Sequence, residues 1–185
     1  MILMRFADPS PGIWRIVVEP QQLADGIFHM WLPVTEFLTG DVYFLQSNPD
    51  TTITEPGNTP DPMTVASYNG ADKSIAIDSG RGYTRGGRLK PEFAAPGVDV
   101  MGAVSRGQFT KRTGSSIATG ITAGATALLF EWIVYQLGRT NIDSIQLKNL
   151  MILGTERKDT EVYPNRSWGY GSLNLYNTFE QLRTF

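Results

Sequence analysis

Residues Gly114 to Leu129 read Gly-Ser-Ser-Ile-Ala-Thr-Gly-Ile-Thr-Ala-Gly-Ala-Thr-Ala-Leu-Leu, and the fold turns on this stretch. It holds no charge, no proline and no long polar side chain. The pattern predicts one long helix from about Ser116 to Leu137, with Gly138 as its stop. At 1.5 Å per residue such a helix is about 33 Å long, enough to cross a domain. Its first half is lined by Ala118, Gly120, Ala123, Gly124, Ala125 and Ala127. Small side chains let other backbones come close, so this half is expected to be central and enclosed. The uncharged run Thr113–Phe130 is too short and too polar for a membrane span, which needs about 20 mostly apolar residues.

The start of this helix is also where chemistry is possible. The first four N–H groups of a helix lack internal acceptors, and the dipole there favours negative charge. A serine at that point can attack a carbonyl while its own N–H stabilises the oxyanion. Gly114 would let a substrate backbone approach. The competing reading is that Ser115 or Ser116 is simply the N-cap, a position that strongly favours serine.

Working outward, a second helix is expected over about Ser144–Leu153. Asp143 and Gln146 form a capping-box pair, Leu147, Leu150 and Met151 share one face, and Gly154 ends it. Upstream, Met63–Tyr68 reads as a short buried strand, Ser74–Asp78 as a weaker one, and Asp78–Lys90 as loop. A further short strand is expected near Val98–Met101. Asn48–Asp61, rich in Pro, Thr, Asn and Asp, is a connecting loop.

Residues 1 to about 48 read as β. Trp14, Ile16 and Val18 alternate with Arg15, Val17 and Glu19, the period of a half-buried strand. Gly26–Leu32, after a plausible Asp25-Gly26 turn, and Val42–Gln46 are two further runs. Three short strands cannot close a sheet alone, so this segment reads as the end of a β-sandwich. The resulting division is 1–48 for the sandwich end and 49–185 for an α/β part.

The 185 residues are 41% hydrophobic and 18% charged, enough for a packed core and against a disordered chain. Sixteen Lys and Arg against 18 Asp and Glu leave a formal charge of −2, which argues against a nucleic-acid or membrane-surface partner. The absence of cysteine excludes disulfides, thiolate zinc sites and a cysteine nucleophile. No His/Asp/Glu cluster or calcium-loop pattern appears, so no cofactor is expected and a structural Ca²⁺ is not indicated. Met1–Phe6 is a poor signal peptide, interrupted by Asp8, Pro9 and Pro11. His29 is the single histidine, so any histidine base must be this residue or come from outside the chain. Between Arg81 and Arg112 lie seven Lys and Arg and only two acids, Glu92 and Asp99. This run suits either a solvated loop or a surface that meets an acidic pro-segment or substrate.

Gly114–Leu129 resembles the nucleophile helix of subtilisin-like serine peptidases, whose pattern is G-T-S-M-A-x-P-x-x-A-G. Three flanking segments are similar to family motifs in the same order. Pro62–Tyr68 resembles the strand before an S-S-x-G turn, which Asp78-Ser79-Gly80-Arg81-Gly82 partly matches. Lys90–Val98 (KPEFAAPGV) resembles K-P-[DE]-[IL]-x-A-P-G. Trp168–Asn174 (WGYGSLN) resembles the closing G-x-G-x-[IVL]-[ND] element. The β segment, with Pro11–Val18 and Phe28–Pro33, looks like the end of the jelly-roll insert of the clostridial Csp-type germination proteases.

The resemblance implies an α/β chain, the C-terminal part of the subtilisin-like three-layer parallel-sheet fold, preceded by the last strands of a jelly roll. It implies Ser116 as nucleophile and a backbone oxyanion donor, with Gly114 and Ser115 beside the substrate. Ser115 replaces the usual Thr and Gly120 the usual Pro. The implied catalytic Asp, His and oxyanion Asn belong to upstream motifs that are not in this segment. His29 is followed by Met30 and Trp31 rather than Gly and Thr, and reads as structural or surface. The expected partners are a peptide or protein substrate, the N-terminal part of the peptidase domain, and a pro-segment. The isolated chain is then expected to be inactive. The alternative is a Csp-type pseudoprotease that binds or senses in spore germination, and a spore location is implied by the same analogy alone.

Overall fold

The structure, a computed structural model, describes residues 2–22, 26–33 and 37–183. The chain divides into two units, Met1–Gln46 and Ser47–Phe185.

The second unit holds the regular structure. Strand β1 (Val65–Asn69) pairs in parallel with β2 (Phe93–Val98), with Val65 opposite Phe93 and Tyr68 opposite Pro96. Both strands are covered on both faces, which is why they read as continuous apolar runs rather than alternating ones. On the far side of β2, the closing segment runs as a third backbone. Tyr170 N–H donates to Glu92 O (2.8 Å), Ala94 N–H to Gly171 O (2.9 Å) and Leu173 N–H to Ala94 O (2.7 Å). β2 is thereby the middle of the layer. β3 (Val100–Val104) and β4 (Gln108–Arg112) form an antiparallel hairpin, joined by a tight turn over Ser105–Gly107. The expected strand near Val98–Met101 is therefore two strands parted at Asp99. Ser74–Asp78 contributes one bridge, Ile75 to Tyr68, and no strand.

Helix α1 spans Ser115–Leu137 and ends at Gly138. Its buried residues are Ala118, Thr122, Ala125, Leu129 and Ile133, one stripe at helical spacing that packs on β1 and β2. By length and composition α1 would pass as a membrane span. Its contact with the sheet makes it a core helix instead. The threonines inside it are satisfied locally: Thr119 Oγ1 donates to Ser115 O (3.0 Å), Thr122 Oγ1 to Ala118 O (2.9 Å) and Thr126 Oγ1 to Thr122 O (2.8 Å). The expected enclosure of its first half holds for one face only. Gly120, Ala123, Gly124 and Ala127 are exposed, as are Leu128, Phe130 and Tyr135 further along. The reason is composition: the helix is apolar all round, and the described residues supply cover for one side.

Helix α2 (Ser144–Leu153) has its capping box in place. Gln146 N–H donates to Asp143 Oδ1 (2.7 Å) and Asp143 N–H to Gln146 Oε1 (3.1 Å). Helix α3 (Leu175–Arg183) was not expected from sequence. Its signal was present in Leu175, Phe179 and Leu182 at helical spacing, after Asn174, whose side chain accepts Asn177 N–H (2.9 Å). The main core gathers Phe93, Leu129, Ile133 and Met151 under Val65, Trp132 and Phe179. A smaller one joins Ala66, Tyr68, Ala94 and Trp168, with the Tyr68 and Trp168 rings 5.3 Å apart.

The first unit corrects the β reading. No strand occurs among the described residues of 2–46, so the expected strands Ile13–Glu19, Gly26–Leu32 and Val42–Gln46 do not form. Asp25 of the proposed turn lies outside the described residues. Trp14, Val17, Phe28 and Trp31 are more than half exposed. A strand needs a hydrogen-bonded neighbour and a covered apolar face, and alternation supplies neither by itself.

Candidate active site

β2 carries the local scaffold of the site. At its base, Lys90 is almost fully buried and its Nζ lies 2.7 Å from Glu92 Oε1, also donating to Pro62 O (2.6 Å). Glu92 Oε2 accepts Thr64 N–H (2.7 Å), and Lys148 of α2 reaches Glu92 Oε1 at 3.5 Å. One carboxylate thus ties together the segments entering β1 and β2 and helix α2. This is the physical content of the Lys-Pro-Glu pattern.

At the other end of β2, Gly97 O accepts Gly114 N–H (2.8 Å). Gly97 has no room for a side chain. A Cβ there would run into Ser67 Oγ and come within 2.9 Å of Gly114 O and 3.2 Å of Ala118 Cβ. Gly114 has φ +150° and ψ +157°, a backbone that L side chains rarely adopt. Gly97 therefore sets where α1 begins, and Gly114 turns the chain into it.

Gly114 is the N-cap, and no side chain among the described residues caps the helix. The reading of Ser115 or Ser116 as a side-chain cap is thereby excluded. Ile117 N–H donates to Gly114 O (3.0 Å), and Ala118 N–H to the same oxygen at 3.4 Å. The N–H groups of Ser115 and Ser116 have no acceptor among the described residues, and both residues are exposed. Ser116 thus presents an unengaged hydroxyl beside free backbone donors at the positive end of a 23-residue helix.

Two residues behind this turn escaped the sequence reading. Ser67 is fully buried, and its Oγ has no hydrogen-bond partner among the described residues. Its N–H donates to Ser79 Oγ (2.9 Å), which places the Asp78–Gly82 turn against β1. No sequence signal separates Ser67 from any other strand serine. Gly97 was visible as part of Ala-Pro-Gly, but its close approach was not. His29 belongs to the first unit, is exposed, and stacks on Trp31 with ring centroids 5.3 Å apart. No group of three or more His, Cys, Asp or Glu side chains that could hold a metal occurs among the described residues.

Residues 39–171 match the subtilase family, most of the chain. The C5a peptidase of Streptococcus pyogenes is 32% identical over 98 residues, 53% of this chain and 8% of that protein. The serine protease AprX of Bacillus subtilis is 29% identical over 154 residues, 71% of this chain and 33% of AprX. Among solved structures, the CspB protease of Clostridium perfringens superposes with a TM-score of 0.71 at 32% identity, over 76% of this chain and 31% of that one. The chain thus spans a third or less of each of these relatives. The parallel β1–β2 pair with α1 packed across it is part of the subtilisin-like α/β fold they share. By the extent of the match, the order of its motifs and this fold, the chain belongs to the subtilase family of serine peptidases.

Proposed function

We propose that Ser116 is the nucleophile of a subtilisin-like serine endopeptidase whose remaining catalytic groups come from a segment outside residues 1–185. The observation that carries this is the exposed Ser116, its hydroxyl and N–H both unengaged, at the start of α1 within a family of serine peptidases. In the complete site, Ser116 Oγ attacks the scissile carbonyl carbon as a histidine takes its proton. The Ser116 N–H and a second donor hold the oxyanion. Collapse breaks the C–N bond, and the histidine returns the proton to the leaving amine. Water then hydrolyses the acyl-serine by the same route. An aspartate orients the histidine. The route needs no metal or cofactor.

His29 is not assigned the base role, since its ring stacks on Trp31 and Met30 and Trp31 follow it in place of the family's Gly and Thr. A serine without a base is a weak nucleophile, and loss of one oxyanion donor alone costs roughly 10²–10³ in kcat. The chain by itself is therefore inactive in this reading. The uncovered apolar face of α1 around Leu128 and Phe130 supports a second segment of the same domain lying there. In the same reading residues 1–48 are the end of a jelly-roll insert, which acquires its strands only beside further sandwich strands.

The test is labelling by a fluorophosphonate, which reacts only with an activated serine, together with hydrolysis of a peptide library. The chain alone should show neither. The chain expressed with an upstream subtilase segment bearing the Asp, His and Asn motifs should label at Ser116 and cleave, and Ser116→Ala should abolish both. Turnover by the chain alone that Ser116→Ala removes would overturn the requirement for outside groups. Labelling at another serine would overturn the assignment.

A further inference from the structure

A cavity of about 520 Å³ opens where the loop before β1, the Asp78–Gly82 turn and the closing segment meet. Backbone bonds join the three. Arg81 N–H donates to Thr52 Oγ1 (2.9 Å), Thr52 N–H to Arg81 O (2.9 Å) and Gly82 N–H to Arg166 O (2.8 Å). The frame of the cavity is therefore set by the fold. Both carboxylates in its wall are already engaged. Asp50 pairs with Arg166, whose guanidinium also lies 5.3 Å over the Tyr83 ring. Glu161 accepts from Asn165 Nδ2 (3.3 Å) and has Lys158 Nζ at 4.0 Å. Arg81 is the cation left over. It is partly buried, its side chain makes no hydrogen bond or ion pair among the described residues, and its Nε is shut off from water. The Ser167 hydroxyl and the Trp168 indole N–H also lack partners among the described residues, and both can donate. Ile75 and the buried Trp168 give the wall its apolar part.

We propose that this cavity binds a small organic monocarboxylate, its carboxylate on Arg81 and its apolar part against Trp168 and Ile75. A guanidinium that has lost part of its water and has no counter-charge attracts an anion more strongly than a surface arginine does, and its planar donors match a carboxylate. One uncompensated positive charge calls for one negative charge, so a carboxylate fits better than a phosphate dianion. The volume lies within the roughly 300–1,000 Å³ of ordinary ligand pockets, and the apolar wall suits a flat organic group. None of these residues belongs to the Gly114–Ser116 turn, so the inference does not draw on the assignment of Ser116.

Benzoate is the probe, with benzamide as its neutral counterpart and benzylamine as the cationic one. Each is titrated into the full chain and followed at the Trp168 indole N–H resonance, assigned with Trp168→Phe. Benzoate should saturate with a Kd of about 1–10 mM, as suits so small a ligand. Benzamide and inorganic phosphate should bind more weakly, benzamide by at least about tenfold, and benzylamine should not bind. Arg81→Gln should weaken benzoate at least about tenfold and leave benzamide unchanged. Arg139→Gln, beyond the far end of α1, should change neither. The comparison of benzoate with benzamide needs no variant, so it decides the matter if Arg81→Gln fails to fold. No saturation by benzoate, equal affinity for benzoate and benzamide, or benzoate binding that survives Arg81→Gln would overturn the proposal. So would loss of benzoate binding once the chain is expressed with the upstream subtilase segment, which would give Arg81 to an acidic side chain of that segment.

Discussion

Replacing Glu92 by Ala should be among the most damaging single changes available in this chain. Glu92 is 5% exposed, and its carboxylate meets Lys90 Nζ, Lys148 Nζ and Thr64 N–H. Among the described residues, its removal leaves the buried Lys90 with only Pro62 O as a close partner. It also orphans a backbone N–H at the entrance to β1. Breaking a buried ion pair by deleting one partner costs about 3–5 kcal/mol, against a typical domain stability of about 5–15 kcal/mol. Glu92→Gln separates the two parts: an amide oxygen can still accept Thr64 N–H, so the part it recovers, about 1–3 kcal/mol, is that of the orphaned N–H. The double variant Lys90→Met with Glu92→Leu removes both charges and should cost much less than the two single changes added together. Urea titration followed by tryptophan fluorescence, Trp168 being buried against Tyr68, measures all of these. A cost below about 1 kcal/mol for Glu92→Ala, or additive costs in the double variant, would refute the view that this carboxylate joins the two strands and α2.

Ser67→Ala should be neutral or stabilising by about 1 kcal/mol, because it removes a buried hydroxyl without a partner, and thermal unfolding would read it. Gly97→Ala should destabilise by about 1–3 kcal/mol, since the added methyl meets Ser67 Oγ and Gly114 O; combining it with Ser67→Gly should recover part of the loss in the same measurement. Asp143→Ala should cost about 1 kcal/mol by removing the cap of α2, seen as a lower urea midpoint. The Asp72 carboxyl accepts from the Ser74 hydroxyl and the Ser74 N–H, which hold it below its ordinary value of 3.8. Its contribution to the turn is therefore present above that value and lost as the pH falls through the lowered one. Faster amide exchange at Ser74 in acid, absent in Asp72→Asn, is the expected sign.

Local signals were the legible ones. The length of α1, its Gly138 stop, the Asp143–Gln146 box and the Gly154 end of α2 all follow from short-range chemistry, and each stands where the residues put it. The buried β1 and the Gly-rich loop after it were equally readable, because an apolar run bounded by breakers has few alternatives. The candidate nucleophile was visible as Gly-Ser-Ser at a helix start, within four motifs in the right order. The first unit shows the opposite case. Trp14, Ile16 and Val18 alternate well, yet alternation says only which face could be buried, and burial is a property of a partner.

Sequence alone therefore determined helices α1 and α2 and their ends, the family and the serine worth testing, since each depends on residues a few positions apart. Tertiary structure decided the rest. It made Gly114 rather than a serine the cap of α1, because Gly97, seventeen residues earlier, fixes the Gly114 N–H in place. It put one face of a uniformly apolar helix against the sheet and left the other bare. It brought Lys90, Glu92 and Lys148 to one carboxylate across 58 positions of chain. These are meetings between residues distant in sequence, and no local propensity encodes which of many possible partners a folded chain will bring within hydrogen-bonding distance.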